Sequence, residues 1–334
     1  MADSIEGGLI ALDAMGGDFA PKEIVLGAKK ALADYSIRSL LVGDKTKISE
    51  FNDVSLPVYH ASEVISMDDD PAKSVRNKKD SSLSRCADLV SQGKCTATIS
   101  AGNTGAAMAA ALFKIGRIKG VSRPAIATTI PMVGHHPTVM LDSGANAECQ
   151  SDWLVQFAQM GAVYSSIRYN IEKPKVALLS IGEESTKGSP LIKETHKKLV
   201  DLSSNSFEFI GNVEGRDLLE AVADVVVTDG FTGNVALKTL EGSLKFFMKM
   251  LLGVMNTNDE TKKAQDVLLN YLLPIAEELD PETTGGAMLL GIDGISIISH
   301  GSSSAKAISN ALRVGDELVK ANIVEHLKKA VEQN

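Results

Sequence analysis

The sequence predicts an α/β protein in which helices cover both faces of a largely parallel sheet, giving three layers, α/β/α. Short runs rich in aliphatic and β-branched residues alternate along the chain with helical patterns of about 10 to 20 residues, which is typical of βαβ units. A glycine-containing turn separates most of these runs from the helix that follows. The composition of the 334 residues, 44% hydrophobic and 23% charged, is that of an ordinary globular protein.

The elements can be assigned in order along the chain. Apolar runs predict strands at residues 9–15, 40–42, 97–100, 125–130, 139–142, 176–181, 207–213, 224–228 and 295–299. Periodic apolar positions predict helices at residues 24–33, 83–92, 105–113, 153–166, 191–200, 235–252, 262–279 and 305–320. Crossovers between parallel strands should be right-handed. Because no low-complexity tract or Pro/Gly-rich linker interrupts this pattern, residues 1–334 are predicted to form a single α/β domain.

One segment departs from the alternation of strands and helices. Residues 240–279 contain two helical patterns with no strand between them, joined by a polar stretch at 256–259. This predicts a helical hairpin inserted into the α/β core or projecting from it. Its many apolar side chains and the lysines Lys238, Lys245 and Lys249 support two interpretations. One is a dimer interface or core element, and the other is a helix on a membrane surface with its basic residues at the headgroups.

Charge and cysteine content limit the class of protein. The 34 basic and 42 acidic side chains give a net charge of −8, which argues against general nucleic-acid binding. The three cysteines, Cys86, Cys95 and Cys149, are odd in number and form no CxxC pair, so we expect free thiols in a reducing compartment. The first residues carry acids and no base, unlike a secretory signal, and no apolar run is long enough to span a membrane. We therefore expect a cytoplasmic protein.

Polar, glycine-rich turns follow most of the predicted strands. Because ligands of α/β sheets bind at the carboxyl ends of strands, we expect these turns to converge on one crevice. They contain Asp13, Gly16, Gly17 and Asp18; Gly102, Asn103, Thr104 and Gly105; Asp142, Gly144 and Asn146; Lys187; Asp229, Gly230, Thr232, Gly233 and Asn234; and His300. Taken singly, each turn is equally well explained by ordinary turn and N-cap residues.

The turn at 102–105 gives the sharpest anion-binding signal. It opens an alanine-rich helix, where small residues let the backbone approach an anion at the helix N-terminus. Lys187 follows two carboxylates and precedes a glycine, so it is either a solvated loop lysine or a fixed cation for a phosphate. The sequence contains no GxGxxG, P-loop, HExxH, Cys/His cluster or GxSxG pattern. We therefore expect anion chemistry without a cofactor, a metal or a covalent nucleophile.

Eight sequence blocks, in order along the chain, resemble the PlsX family of acyl-acyl-carrier-protein:phosphate acyltransferases. They are DAMGGD at 13–18, SAGNTGA at 100–106, RPAIA at 123–127, LDSGAN at 141–146, QFAQMGAVY at 156–164, IGEESTKG at 181–188, FIGNVEGRD at 209–217 and DVVVTDGFTGNVALKTLEG at 224–242. The chain departs from the family pattern at Ser180, where asparagine is expected, and at Ser143, where valine is expected. Neither departure puts the function in doubt.

The resemblance implies a fold like that of the isocitrate and isopropylmalate dehydrogenases. It also implies reversible transfer of a long-chain acyl group from acyl carrier protein to inorganic phosphate, giving acyl phosphate for phospholipid synthesis. Phosphate is itself the nucleophile in this reaction, so no covalent enzyme intermediate is expected. The resemblance further implies a homodimer attached peripherally to the inner face of the cell membrane. A membrane-bound glycerol-3-phosphate acyltransferase would receive the product.

Roles follow for the turn residues if this reaction is correct. Phosphate is assigned to Gly102, Asn103, Thr104 and Gly105, with Lys187 as its cation. Asn146 and Asn234 are candidate donors to the thioester oxygen, and His300 is a weaker one. Asp13, Asp18 and Asp229 are expected to fix loops by hydrogen bonds.

Two surfaces are also assigned. Because acyl carrier protein is acidic, we expect it to dock on one of two basic patches, Arg76, Lys78 and Lys79 or Arg117, Lys119 and Arg123. The hairpin should carry the dimer contacts and a membrane tip containing Leu251, Leu252, Leu272 and Leu273. The alternatives are a β-decarboxylating dehydrogenase, an enzyme like phosphate acetyltransferase, and a non-catalytic membrane scaffold for lipid-synthesis partners.

Overall fold

One mixed sheet of eleven strands runs through the protein. The computed structural model describes residues 8–202 and 206–332, so the ends of the predicted 1–334 domain and residues 203–205 lie outside the described residues. The strands are β1 (Ile10–Asp13), β2 (Ser39–Gly43), β3 (Val58–His60), β4 (Ala97–Ser100), β5 (Ala125–Ile130), β6 (Thr138–Leu141), β7 (Lys175–Leu179), β8 (Glu208–Val213), β9 (Val225–Val227), β10 (Ala287–Leu290) and β11 (Ile295–Ile298). Their order in the sheet is β3-β2-β1-β4-β11-β10-β5-β6-β9-β7-β8.

The helices account for most of the chain between the strands. They are α1 (Lys22–Tyr35), α2 (Lys45–Ser49), α3 (Pro71–Asn77), α4 (Ser82–Ser91), α5 (Thr104–Ala110), α6 (Ser151–Tyr169), α7 (Pro190–Asp201), α8 (Gly230–Met255), α9 (Asp259–Glu278), α10 (Ala305–Lys320) and α11 (Ile323–Glu332). A π-helical turn, Ala111–Ile115, continues α5. Short 3₁₀ turns occur at Gly215–Leu219 and Pro281–Thr283.

Alternating side chains of the strands fill two different cores, which makes the protein three-layered. Ile10 and Leu12 of β1 belong to the large cluster that includes residues of α1, α6, α10 and α11. Leu9 and Ala11 point to the other face and pack with Cys86 and Leu89 of α4. Since successive side chains of a strand point to opposite faces, helices must cover both faces of the sheet. The predicted α/β class and largely parallel sheet are confirmed.

The direction of the strands reverses three times near the middle of the sheet. Pairings are parallel from β3 through β11 and again from β6 through β8. Between these two halves the β11–β10, β10–β5 and β5–β6 pairings are all antiparallel. Three reversals are an odd number, so β6, β7 and β9 run opposite to β1, β4 and β11. The carboxyl ends of these two sets of strands therefore leave the sheet at opposite edges.

The helical hairpin is present and consists of α8 and α9. Asp229 caps α8, whose first turn begins five residues before the predicted start, and Asn258 caps α9. Only the first half of α8 packs on the sheet, through Ala236, Leu237 and Leu240. Farther along, α8 and α9 expose large apolar side chains on more than one face, including Phe246, Phe247, Val254, Val267 and Tyr271. Within the described ranges, no helix is both long enough and apolar enough to cross a membrane.

Candidate functional site

The loops that follow β1, β4 and β11 contact one another at one edge of the sheet. We call residues 13–18, 100–105 and 299–304 the cradle group. A Cβ atom added to Gly16 would lie 2.8 Å from the amide nitrogen of Gly102, so the first two loops meet backbone to backbone. The N–H of Asp18 donates to the carbonyl oxygen of Gly301 at 2.8 Å, which joins the third loop to the first.

The buried carboxylate of Asp13 connects the loops of the cradle group by hydrogen bonds. Ser100 Oγ donates to Asp13 Oδ2 at 2.7 Å and accepts from the Gly102 N–H at 3.0 Å. The N–H of Met15 donates to Asp13 Oδ1 at 3.3 Å. Burial raises the pKa of Asp13, and its hydrogen bonds oppose that shift. Asp13 therefore ties the loops together, and the N–H of Gly102 is already used within the protein.

Asn103 caps α5 and binds a second segment with the same side chain. Its Oδ1 accepts from the Ala106 N–H at 3.0 Å. Its Nδ2 donates to the carbonyl oxygens of Met67 and Asp69, at 2.8 and 3.2 Å. The predicted contact of this side chain with phosphate is therefore not available, because all of its polar atoms have protein partners.

The first turn of α5 still offers free donors. The N–H groups of Thr104 and Gly105 have no acceptor inside the helix, because they precede the first full hydrogen-bonded turn. Thr104 is exposed, and its hydroxyl lies at the same helix end. Gly105 is required for packing, since a Cβ atom there would lie 2.7 Å from Pro71 Cγ, at the start of α3.

A second group of loops, residues 142–146 and 228–234, follows β6 and β9. Asp142 is fully buried at its centre. Its Oδ1 accepts from the N–H groups of Ile126, Gly144 and Ala145 at 3.1, 3.1 and 2.9 Å. Its Oδ2 accepts from both the N–H and Nδ2 of Asn146, at 2.7 and 2.8 Å. Burial raises the pKa of Asp142 and is the largest effect on it, while its hydrogen bonds act in the opposite direction.

These contacts change the role expected for Asn146. Its Nδ2 also donates to the Pro124 carbonyl oxygen at 2.8 Å, so both amide hydrogens are used inside the protein. Asn146 therefore holds its loop and presents no free donor to a thioester. Its carbonyl oxygen accepts from the Gly230 N–H at 2.8 Å, which fixes the start of α8 against the loop.

Asn234 differs from Asn146, although both belong to the second group. Asp229 caps α8, with Oδ1 accepting from the Thr232 N–H and Oδ2 from the Thr232 hydroxyl, both at 2.8 Å. Gly233 packs so tightly on Asp142 that a Cβ atom would collide with the Asp142 carbonyl oxygen. Asn234 follows on the exposed side of the same turn, next to Gly144.

Lys187 lies in the loop after β7 and is exposed. Its N–H donates to the Glu184 carbonyl oxygen at 2.9 Å, and Asn212 Nδ2 on β8 donates to that same oxygen at 2.9 Å. The loop is thus anchored to the neighbouring strand. Over residues 8–202 and 206–332, no carboxylate forms an ion pair with the Lys187 ammonium group, which leaves it available to an anionic ligand.

His300 belongs to the cradle group and is exposed. Its Nδ1 lies 2.8 Å from Ser302 Oγ and accepts from the Ser302 N–H at 3.3 Å. Among the residues described, no group of three or more His, Cys, Asp or Glu side chains could hold a metal ion.

Two of the six basic residues assigned to carrier docking have polar partners on this chain, although Lys78 is only partly buried and Arg117 is exposed. Lys78 Nζ pairs with Asp69 at 2.6 Å and donates to the Val64 carbonyl oxygen at 2.9 Å. Arg117 donates to the Ser122 carbonyl oxygen. Arg76, Lys79, Lys119 and Arg123 are exposed. The predicted patches are therefore smaller than the sequence suggests, because lysine and arginine spacing does not reveal internal partners.

The single crevice expected from the sequence stays a prediction, but its premise of a purely parallel sheet does not hold. The cradle group lies at the carboxyl ends of β1, β4 and β11, and the second group lies at those of β6 and β9. Because these strands run in opposite directions, the two groups leave opposite edges of the sheet. Neither Ser100 nor the segment at 66–69 was assigned to the site from the sequence. The nearest signal in the sequence was Asp70 before Pro71, a recognisable N-cap pattern that marks the start of α3 directly after that segment.

The fold places the protein among α/β proteins with the architecture seen in phosphotransacylases. The structure superposes on a branched-chain phosphotransacylase from Enterococcus faecalis V583 with a TM-score of 0.61 and 16% identity, covering 93% of this chain and 99% of the other. For the EutD phosphotransacetylase from Staphylococcus aureus the TM-score is 0.60, also with 16% identity, covering 95% and 96% of the two chains.

The sequence comparison identifies the family. Residues 9–326 match the family described as "Fatty acid synthesis protein". A phosphate acyltransferase of Elusimicrobium minutum (strain Pei191) is 47% identical over 329 residues, 96% of this chain and 95% of that protein. The chain therefore belongs to this family, the PlsX family that the sequence blocks indicate, and it is an acyltransferase.

Proposed function

We propose that the protein transfers a long-chain fatty acyl group from the thioester of acyl carrier protein to inorganic phosphate. The product is an acyl phosphate for phospholipid synthesis. The observation that carries the proposal is the N-terminus of α5, where the N–H groups of Thr104 and Gly105 have no acceptor within the helix and Gly102 beside them is held by the buried Ser100 and Asp13. Such a helix end favours a phosphate dianion, in a chain whose relatives are named phosphate acyltransferases.

The reaction needs positioning more than chemical assistance. A phosphate oxygen attacks the thioester carbonyl carbon, a C–O bond forms, and the electron pair of the carbonyl moves onto its oxygen. The tetrahedral intermediate then collapses, the C–S bond breaks, and the thiolate leaves with the electron pair. Because a thiol has a pKa of about 8.5, the thiolate leaves with little help from an acid. Holding both reactants in line can contribute several kcal/mol.

We assign phosphate to the N–H groups of Thr104 and Gly105 and to the Thr104 hydroxyl. Lys187 supplies the cation for the phosphate, and Asn234, whose side chain is exposed, donates to the thioester oxygen as negative charge develops there. His300, within the cradle group, is a further donor.

This assignment requires the cradle group and the second group to reach one substrate. Their strands are separated by four steps in the sheet, β4-β11-β10-β5-β6. Adjacent strands rotate by about 20 to 25° per step, so the two halves differ by roughly 90°. We infer that this rotation turns the second group toward one face of the first half and leaves a cleft between the halves.

We further propose that the enzyme acts as a homodimer at the inner face of the membrane. The support is the hairpin, whose large apolar side chains are exposed on more than one face, and whose Lys245 and Lys249 are exposed between them. One apolar face fits a second copy, and the tip fits lipid with lysines at the headgroups. A membrane-bound glycerol-3-phosphate acyltransferase would then consume the acyl phosphate where it is made.

The deciding experiment follows loss of the palmitoyl-carrier thioester with and without inorganic phosphate, in buffer free of metals and nucleotides. The proposal expects phosphate-dependent loss together with the appearance of acyl phosphate. Dependence on coenzyme A or a nucleotide would favour an enzyme of different substrate class. Vesicle binding without any turnover would favour a scaffold and would overturn the proposal.

A further inference from the structure

A basic cavity lies between the end of α3 and the π-helical turn that continues α5. Its volume is about 400 Å³. It is lined by Val75, Arg76, Lys79, Phe113 and Lys114. Val75 is buried and Phe113 is half exposed, so the cavity has apolar surface beneath three cationic side chains. We call it the basic cavity.

The cations of the basic cavity are incompletely neutralised. The Arg76 guanidinium carbon lies 5.1 Å from the centre of the Phe113 ring, so an aromatic face rather than a carboxylate orients it. Lys114 pairs with Asp88 at 2.9 Å. Within the described part of the chain, Lys79 forms no ion pair. The cavity therefore has an excess of positive charge in a chain whose net charge is −8.

The basic cavity and the cradle group lie at opposite ends of the same two helices, α3 and α5. The helices α3 and α5 both begin at the cradle, where Asn103 Nδ2 binds the Asp69 carbonyl oxygen and Gly105 packs on Pro71. Phe113 comes nine residues after Thr104 in the chain. At a rise of 1.5 Å per residue, that separation is about 13 Å along the helix axis.

We propose that the basic cavity binds the phosphodiester end of the carrier protein's phosphopantetheine arm while the thioester end reaches the cradle. This inference rests on the proposed function. About a dozen bonds join the phosphorus and sulfur atoms of the arm, which gives an extended span of roughly 15 Å by ordinary covalent geometry. That span matches the separation of cavity and cradle. The half-exposed ring of Phe113 suits the branched, methyl-bearing carbons next to the phosphodiester.

Two small substrates test the proposal. The same acyl group is presented on pantetheine and on 4′-phosphopantetheine, at saturating inorganic phosphate. The unmodified enzyme should have the higher kcat/KM for the phosphorylated arm. The double variant Arg76→Gln, Lys79→Gln should lower kcat/KM roughly tenfold for the phosphorylated arm and leave the other unchanged, because exposed charge contacts contribute a few-fold each.

Matched variants and a binding measurement complete the test. Lys73→Gln on α3 and Lys193→Gln on α7 remove exposed charges outside the cavity and should leave the ratio of the two kcat/KM values unchanged. Titration calorimetry compares carrier protein with and without its arm. The unmodified enzyme should bind the armed form more tightly, and the double variant should lose that difference. This second readout requires no turnover.

The outcomes separate the inference from the function on which it rests. Equal kcat/KM values for the two arms in the unmodified enzyme would overturn the inference and leave the function intact. The inference would also be overturned if the double variant Arg76→Gln, Lys79→Gln kept the original ratio of the two kcat/KM values. It would likewise be overturned if that ratio were lost in the double variant Lys119→Gln, Arg123→Gln and not in the first one. Absence of turnover with every thioester would overturn the proposed function, and the calorimetry would still decide the cavity.

Discussion

Lys187 is the residue on which the proposed phosphate chemistry depends most. Replacing it in Lys187→Met should reduce kcat/KM for phosphate by more than about tenfold, because a fixed cation is lost next to the attacking dianion. The measurement is the initial rate of acyl phosphate formation as a function of phosphate concentration.

Lys193→Met provides the matched control for this prediction, since Lys193 is an exposed lysine six residues farther along the chain. Its kcat/KM should equal that of the unmodified enzyme. If Lys187→Met retains more than about a tenth of the original kcat/KM, the role assigned to Lys187 is wrong.

Asp80 gives a prediction about pH. Ser62, through its hydroxyl and its N–H, and the Arg85 guanidinium bind its carboxylate and lower its pKa to about 2. A lowered pKa stabilises the fold above the unfolded value of 3.8, and that stabilisation is lost as the pH falls toward 2. At pH 7, Asp80→Asn should lower the free energy of unfolding by about 1 kcal/mol, a value reduced for partial exposure.

Urea denaturation of Asp80→Asn and the unmodified protein, between pH 7 and pH 2, measures this effect. The difference in free energy of unfolding should shrink below pH 4 and vanish near the lowered pKa. A difference that stays constant over this range would contradict the prediction.

At the level of single residues, the sequence could predict positions better than roles. Asn103 and Asn146 lie in glycine-rich turns after strands, as expected. Their amide groups are nevertheless used by Met67, Asp69, Asp142 and Pro124, which are distant in sequence or face the asparagine only after folding. No local pattern encodes such partners, so a free donor and a structural one look alike in the sequence.

Among the elements, the packing of α3 on α5 can be tested through Gly105. A Cβ atom there would lie 2.7 Å from Pro71 Cγ, within the backbone-restrained ring. Gly105→Ala should therefore separate the helices and destabilise the protein by about 1 to 3 kcal/mol. Because residues 104 and 105 of the cradle group are the first residues of α5, they would move with the helix, and KM for phosphate should also rise.

Gly242→Ala is the control for this substitution. Gly242 lies inside α8 with no atom near its added Cβ position, so alanine should stabilise the protein by about 0.5 to 1 kcal/mol. Thermal unfolding of both variants measures the contrast. Equal effects of the two substitutions would contradict the proposed packing.

The hairpin tip can be tested through Leu252, which is 40% exposed. Leu252→Glu should release the protein from anionic vesicles in co-sedimentation and leave activity in solution largely intact, because a charge is costly at the lipid boundary. Leu251 is half-buried, and Leu272 (half-buried) and Leu273 (exposed) lie well along α9, away from the turn that joins the two helices. Glutamate in place of Leu251 or Leu272 would also disturb the hairpin itself.

Val200→Glu, at an exposed position on α7 away from the hairpin, is the matched control and should remain bound to vesicles. Equal co-sedimentation of Leu252→Glu and the unmodified protein would contradict membrane binding by the hairpin tip and leave the hairpin with a structural role.

Every strand predicted from the sequence has a counterpart whose ends lie within two residues of the predicted ones. The strands β3 and β10 and the helices α2, α3 and α11 were missed. Short length contributes, because three to seven residues give little periodicity, but β9 also has three residues and was found through its run of valines. The ten-residue α11 was missed because it follows α10 with only a short turn.

For the whole molecule, the sheet shows what periodicity cannot predict. Alternation of strands and helices fixes the α/β class and the two covered faces. It does not fix the direction of a strand, and the three antiparallel pairings around β10 and β5 divide the expected crevice into two groups. The direction depends on which strands become neighbours, and β10 joins the sheet between β5 and β11 although it is far from β5 in sequence.

The charge of the whole molecule leads to a prediction about salt. At about 10 mM salt the Debye length is roughly 30 Å, so the net charge of −8 repels an acidic carrier protein. Near 150 mM salt the Debye length is about 8 Å, so the repulsion by the net charge is screened, while the attraction to the basic cavity at contact is preserved. KM for the carrier should therefore pass through a minimum near physiological salt.

Measuring KM for the carrier from about 10 mM to 1 M salt tests this prediction, with acyl-pantetheine, which has no charge, as the control substrate. A KM that changes in one direction only would contradict the balance of long-range repulsion and local attraction.

The continuation of α5 into a π-helical turn has a consequence for how the family can change over evolution. A loop tolerates added or deleted residues, but each residue added between Thr104 and Phe113 would turn Phe113 by about 100° around the axis and shift it by 1.5 Å. Insertions and deletions should therefore be rare in this segment among relatives and common in the turn at 256–258. If the arm binds as proposed, the length of this segment fixes the distance between the sites for its two ends.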